Sequence, residues 1–182
     1  MVRAGRVVLL LLLLRWTFTF IVWPMREDVI GATFLHAINL PFHEAGHIIF
    51  SPFGDFMTTL GGSLAQVLVP IACGVAFLTT SWNPFGAAVM YWWAGENLMD
   101  VAIYINDARA LQLTLIGGQT GAEVDGHDWE RLLTMTNSLH LDHRLGNIAH
   151  VTGAAIMVAS LAAATVIALK AKNEQSWLGV QR

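Results

Sequence analysis

His43-Glu44-Ala45-Gly46-His47 puts two imidazoles and a carboxylate within five residues. On a helix of 3.6 residues per turn the two histidines lie about 40° apart, one turn from each other on a single face. Two neutral imidazoles so placed can grip one Zn²⁺, and the intervening Glu44 is left free to take a proton from a water that the ion activates. Glu44 is also the only Asp, Glu, Lys or Arg between Asp28 and Asp55. Ionisable groups in apolar surroundings are costly enough that they usually mark a functional site. Residue types and setting together point to a metallohydrolase embedded in a membrane.

A hydrolytic zinc site needs three protein ligands and an open position, and the motif supplies two. Carboxylates within apolar sequence are the natural source of the third. Asp100 and Asp107 qualify, and their seven-residue spacing puts them on one face of a helix, two turns apart. Tyr104 lies between them on that face, and Asn97, three residues before Asp100, points the same way. His36, seven residues before His43, reads as a lining or supporting group. His127-Asp128 and His140-Leu141-Asp142-His143 have the residue types of a separate metal site in a loop, although such clusters in polar sequence are usually just solvated. The single Cys73 excludes a disulfide framework.

The elements that must position these groups follow from the distribution of charge. Charged residues are 13% of the 182 and hydrophobic ones 55%, whereas an ordinary soluble domain is about a quarter charged. Residues 56–95 contain no Asp, Glu, Lys, Arg or His, and residues 145–169 contain only His150. A spanning helix takes about 20 apolar residues, so the first stretch holds two and the second holds one. Residues 7–23, a Leu-rich run after Arg3 and Arg6, predict another. Their aromatic edge at Trp16, Phe18, Phe20 and Trp23, without a small-residue cleavage site before Pro24, favours a retained anchor over a signal peptide.

Residues 29–50 predict the motif helix, with Pro41 expected to kink or restart it just before His43. A third helix is expected over 61–80, where Gly61, Gly62, Ser63 and Gly74 would allow close backbone approach. A fourth is expected over 85–105. Residues 107–144 hold 9 of the 23 charged residues, so an extramembrane loop is expected over 107–147. It carries a short surface helix over 128–139, and the last span follows over 148–169. Five spans would put the termini on opposite sides, unless one is incomplete or residues 111–116 dip into the bilayer. The expected fold is an all-α integral membrane protein, a polytopic helical bundle of four to six transmembrane helices forming one domain over 1–182. A net charge of −3 with no basic patch gives nucleic-acid binding no support.

The chain resembles the site-2 protease family of intramembrane zinc metalloproteases over about residues 30–110. His43-Glu44-Ala45-Gly46-His47 is similar to the family's HExGH helix. Gly62-Ser63-Leu64-Ala65-Gln66 is similar to its Gly-x-x-x-Asn motif, with Gln66 in place of Asn. Asn97-Leu98-Met99 resembles the start of its Asn-x-x-Pro…Asp-Gly segment, whose Asp is the third zinc ligand. Asp100 stands where the family has Pro, and no Asp-Gly follows at the family's spacing, so the resemblance leaves Asp100 and Asp107 both open. Asp100 lies deeper in the apolar run, has the greater need of a counter-charge, and is the preferred third ligand.

The resemblance implies an intramembrane peptidase. Zn²⁺ would be held by His43, His47 and Asp100, Glu44 would be the general base, and Asn97 or Gln66 would donate to the developing oxyanion. The substrate would be a transmembrane segment of another protein within the lipid bilayer, and the compact size suits a bacterial inner membrane. Two other classes stay open: a membrane partner or chaperone that keeps the fold without catalysis, and a zinc or proton transporter using the same residues as relay stations.

Overall fold

The computed structural model describes residues 2–23, 25 and 31–180. Six helices account for most of them: α1 (Val2–Val22), α2 (Phe34–Phe50), α3 (Asp55–Thr79), α4 (Pro84–Asn106), α5 (Asp128–Met135) and α6 (Asp142–Val180). Among the described residues the protein is all-helical, and three stretches are long and apolar enough to cross a membrane: Ala4–Val22, Asp55–Thr79 and Leu139–Lys170. Such helices suggest a membrane protein. The 17 residues of α2 make a helix of about 26 Å, a little short of the ~30 Å hydrocarbon core.

Local sequence explains most of the helix ends. Thr33 caps α2, its hydroxyl accepting from the His36 amide at 3.3 Å. Asn83 caps α4 through Gly86 N at 3.0 Å, and Pro84 follows at the first helical position, where its missing N–H costs nothing. Gly54, at φ +90°, turns the chain between α2 and α3 in a conformation that favours glycine.

Several expected boundaries shift. The predicted start of the motif helix at 29–30 lies outside the described residues, and α2 begins at Phe34. It runs unbroken through Pro41, with no restart before His43. α3 begins at Asp55, six residues before the expected start, with an acidic side chain in its first turn where the helix dipole favours one. α6 begins at Asp142 rather than at 148. Its polar first turn is accommodated because the Asp142 carboxylate pairs with Arg109 at 2.7 Å and accepts from its own neighbour, His143 N, at 2.7 Å.

α4 is the central helix. Its Trp92, Met99 and Ile103 meet Leu13 and Phe20 of α1 and Met157 of α6 in one apolar cluster. Trp92 Nε1 donates to Thr17 Oγ1 of α1 at 2.8 Å, so a buried indole N–H is satisfied. Burial on several sides lets α4 carry Glu96, Asn97 and Asp100 in an otherwise apolar run. α4 and α6 pack antiparallel at a glycine contact, where a Cβ on Gly95 would lie 2.7 Å from the Gly153 carbonyl oxygen and one on Gly153 would lie 2.5 Å from that of Gly95. α2 and α3 make a second such contact, Gly46 on Gly61, where a Cβ on Gly46 would overlap the Gly61 carbonyl. Small residues at these points let backbones touch.

Candidate metal centre

The Gly46–Gly61 contact brings the histidine face of α2 onto the first half of α3. His43 is buried and its ring lies 4.9 Å from that of His47. Both Nε2 atoms converge above Gly62: a Cβ there would sit 2.5 Å from His43 Nε2 and 2.7 Å from His47 Nε2. Gly62, expected as a packing residue, therefore also leaves room for the two rings. One donor atom from each of His43, Glu44 and His47 lies within 4.8 Å of the others.

The outer nitrogens fix what these rings offer. His47 Nδ1 faces the Thr58 carbonyl oxygen at 2.8 Å. A carbonyl only accepts, so Nδ1 carries the proton and Nε2 keeps its lone pair. His43 Nδ1 faces Gln66 Oε1 at 3.1 Å and carries a proton for the same reason.

The third group facing the pair is Asp128, not Asp100. Asp128 Oδ2 lies 3.0 Å from His43 Nε2 and 3.4 Å from His47 Nε2. Two imidazole nitrogens and a carboxylate oxygen thus face one another, an arrangement that a proton on His43 Nε2 or a bound cation would satisfy. Ligands bonded at 2.0–2.1 Å in a tetrahedron stand about 3.3–3.4 Å apart, as His47 Nε2 and Asp128 Oδ2 do at 3.4 Å, while His43 Nε2 and Asp128 Oδ2 are at the hydrogen-bonding distance of 3.0 Å. The donor set of two imidazoles and one carboxylate, the room above Gly62 and the free Glu44 all fit zinc with a position left open.

Asp128 reaches the site because the loop folds back over α3 and α4. Its amide donates to Tyr104 Oη at 2.9 Å, and Trp129 Nε1 donates to Ser63 Oγ at 3.0 Å. Arg131 pairs with Asp55 at 2.7 Å. His127 caps α5, its Nδ1 accepting from Glu130 N at 3.1 Å. Burial lowers the pKa of His127 despite the nearby Asp107 and Asp128 carboxylates, which keeps the ring neutral and able to accept. Asp128 is turned to α2, away from a separate loop site with His127, and is not simply solvated as such pairs usually are. In the other loop cluster Asp142 holds Arg109, and His143 meets Asn106 Oδ1 at 2.8 Å.

The remaining expected residues have other partners. The Asp100 carboxylate accepts from His36 Nδ1 at 2.8 Å, Gln66 Nε2 at 2.9 Å and Asn39 Nδ2 at 3.2 Å. Its need of a counter-charge is met by donors, which removes the reason for choosing it as a ligand. Asp107 accepts from the amides of Gln112 and Leu113, both at 3.0 Å, and so ties down the start of the loop. Asn97, expected to serve an oxyanion, is fully buried and donates along its own helix to Trp93 O at 2.9 Å. Gln66 is taken by His43 and Asp100. His36, expected as a lining or supporting group, lies on the cavity wall against Asp100.

The site opens into a cavity of about 770 Å³, and Glu44, exposed, is on its wall. His43, His47 and Asp128 line one part, and Leu40, Val101 and Ile103 supply an apolar one. Leu113 to Ile116, part of the 111–116 segment offered as one that could dip into the bilayer, lies along the same cavity. No protein-family model, curated protein or solved structure matches the chain.

Proposed function

We propose that this protein is a zinc-dependent intramembrane metallopeptidase, a divergent relative of the site-2 proteases, that hydrolyses peptide bonds in transmembrane segments of other membrane proteins. The observation that carries the reading is the convergence of His43 Nε2, His47 Nε2 and Asp128 Oδ2 beside the exposed Glu44. When bound, the ion supplies Lewis acidity, lowering the pKa of water toward about 7 and polarising the scissile carbonyl. Glu44, one residue from His43 and on the cavity wall, accepts the proton of the attacking water and passes it to the leaving amine. Leu40, Val101 and Ile103 hold the apolar flanks of an unwound substrate segment and exclude bulk water around the bond.

The bundle is polytopic, with α4 crossing beside the three apolar stretches while α1, α3 and α6 keep its polar residues from lipid. The test is Glu44→Gln in purified protein with a panel of single-span substrates. Zinc content stays the same and cleavage disappears; cleavage that persists with zinc bound removes Glu44 as the base.

One observation favours a second reading. Asn39 links Glu96 and Asp100 at 3.1 and 3.2 Å, continuing the polar groups from the site into the bundle. A zinc or proton transporter would use such a chain, and metal or proton flux in vesicles without substrate cleavage would establish it.

A further inference from the structure

We propose that Gln66 and Asp100 are positioning residues: Asp100 holds the Gln66 side chain in the one orientation that turns the His43 Nε2 lone pair toward the metal position. The inference rests on the metal reading above.

The chain of contacts has only one consistent assignment. The Asp100 carboxylate can only accept, so the atom of the Gln66 amide that faces it at 2.9 Å is the NH₂ nitrogen. The amide oxygen is then left to face His43, at 3.1 Å, and can only accept. His43 Nδ1 must therefore carry a proton, which leaves Nε2 as the nitrogen able to meet a metal once its own proton is displaced. Were the amide reversed, its NH₂ would confront the ring, Nδ1 would become the acceptor, and the proton would move to Nε2, where it would block the metal.

Asp100 is itself held from three sides. His36 occupies Oδ1, while Gln66 and Asn39 share Oδ2. Asn39 is fixed in turn, since its own oxygen accepts from Trp93 Nε1 at 2.9 Å. Gln66 is 4% exposed and Asn39 1%, so water cannot take their places. His47 needs no such relay, because its Nδ1 rests on the backbone oxygen of Thr58. The two ligating rings are thus oriented by different means, one by main chain and one by a side-chain relay that starts at the aspartate first expected to be a ligand.

Two measurements test this on the full-length protein in detergent. In metal-free protein with ¹⁵N-labelled histidine, the His43 signal, identified by its loss in His43→Gln, should show a proton fixed on Nδ1. In Gln66→Leu it should shift to a mixture. Zinc affinity, measured by competition with a chromogenic chelator, should fall about 10–100-fold in Gln66→Leu. Gln66→Glu should fall comparably, because it sets a second carboxylate against Asp100.

The double variant Gln66→Glu/Asp100→Asn keeps the number of buried charges, restores a donor at position 100 and an acceptor at 66, and should recover most of the affinity. A double variant no better than Gln66→Glu, or a Gln66→Leu protein with wild-type affinity and tautomer, overturns the relay. A wild type that binds no zinc overturns the metal reading, and the metal-free spectrum still decides the relay.

Discussion

Along α4 and α6, Gly95 and Gly153 bring two helix backbones into contact, and along α2 and α3, Gly46 and Gly61 do the same. Behind the first contact lie Met99 and Met157 in the apolar core. One residue past the second is Gly62, whose missing side chain is where the two histidine rings converge. The first seam joins the central helix to its long neighbour. The second uses the same close approach to hold two acceptor nitrogens at a fixed spacing against a third group. A small residue at a helix contact is therefore ambiguous by itself, and what stands beside it decides whether it serves packing or chemistry.

Substitutions that affect one seam and spare the other sharpen this contrast. The largest effect belongs to Asp128→Ala, which removes the carboxylate facing both rings. Zinc affinity and cleavage should fall by more than about 100-fold, beyond what loss of a supporting residue costs. A calorimetric titration with zinc checks the first and a substrate assay the second. Gly46→Ala and Gly153→Ala come next, since each new methyl group meets backbone that cannot move aside alone. Each should destabilise the fold by about 1–3 kcal/mol in a reversible denaturation, the first together with zinc affinity and the second with little effect on it.

Gly62→Ala should behave differently, because the added carbon meets the ends of two side chains that can rotate away. The fold should change little while zinc affinity drops about tenfold, as a displaced ring geometry costs. The smallest effect is expected from Arg131→Ala. Its pair with Asp55 is more than half exposed on both sides, and such pairs are worth about 0.2–1 kcal/mol. The loss should shrink further in high salt.

Much of the helical plan was legible in the sequence because charge-free stretches and helix periodicity are local signals. The histidine helix, the glycine-rich start of α3 and the polar half of α4 all lie where residue types put them. The third group at the candidate metal site was not legible. Asp128 is 85 residues from His43, in a polar loop, and its approach depends on Tyr104, Ser63 and Asp55 being brought to one edge of the bundle. An argument from depth in the apolar run could only favour Asp100, because it counted the need of a buried charge for a partner. It could not count the donors that His36, Asn39 and Gln66 would supply. Two hints were available: His127-Asp128 has metal-ligand residue types, and the expected short helix begins at Asp128.

The most direct test of the centre is zinc-edge X-ray absorption on purified protein, in the wild type and in Asp128→Ala. The wild type should hold one zinc with two imidazole nitrogens and a carboxylate oxygen at about 2.0–2.2 Å, and the variant should lose the carboxylate contribution or the metal itself. Protein that binds no zinc, or an identical spectrum and zinc content in Asp128→Ala, would contradict a site built from His43, His47 and Asp128.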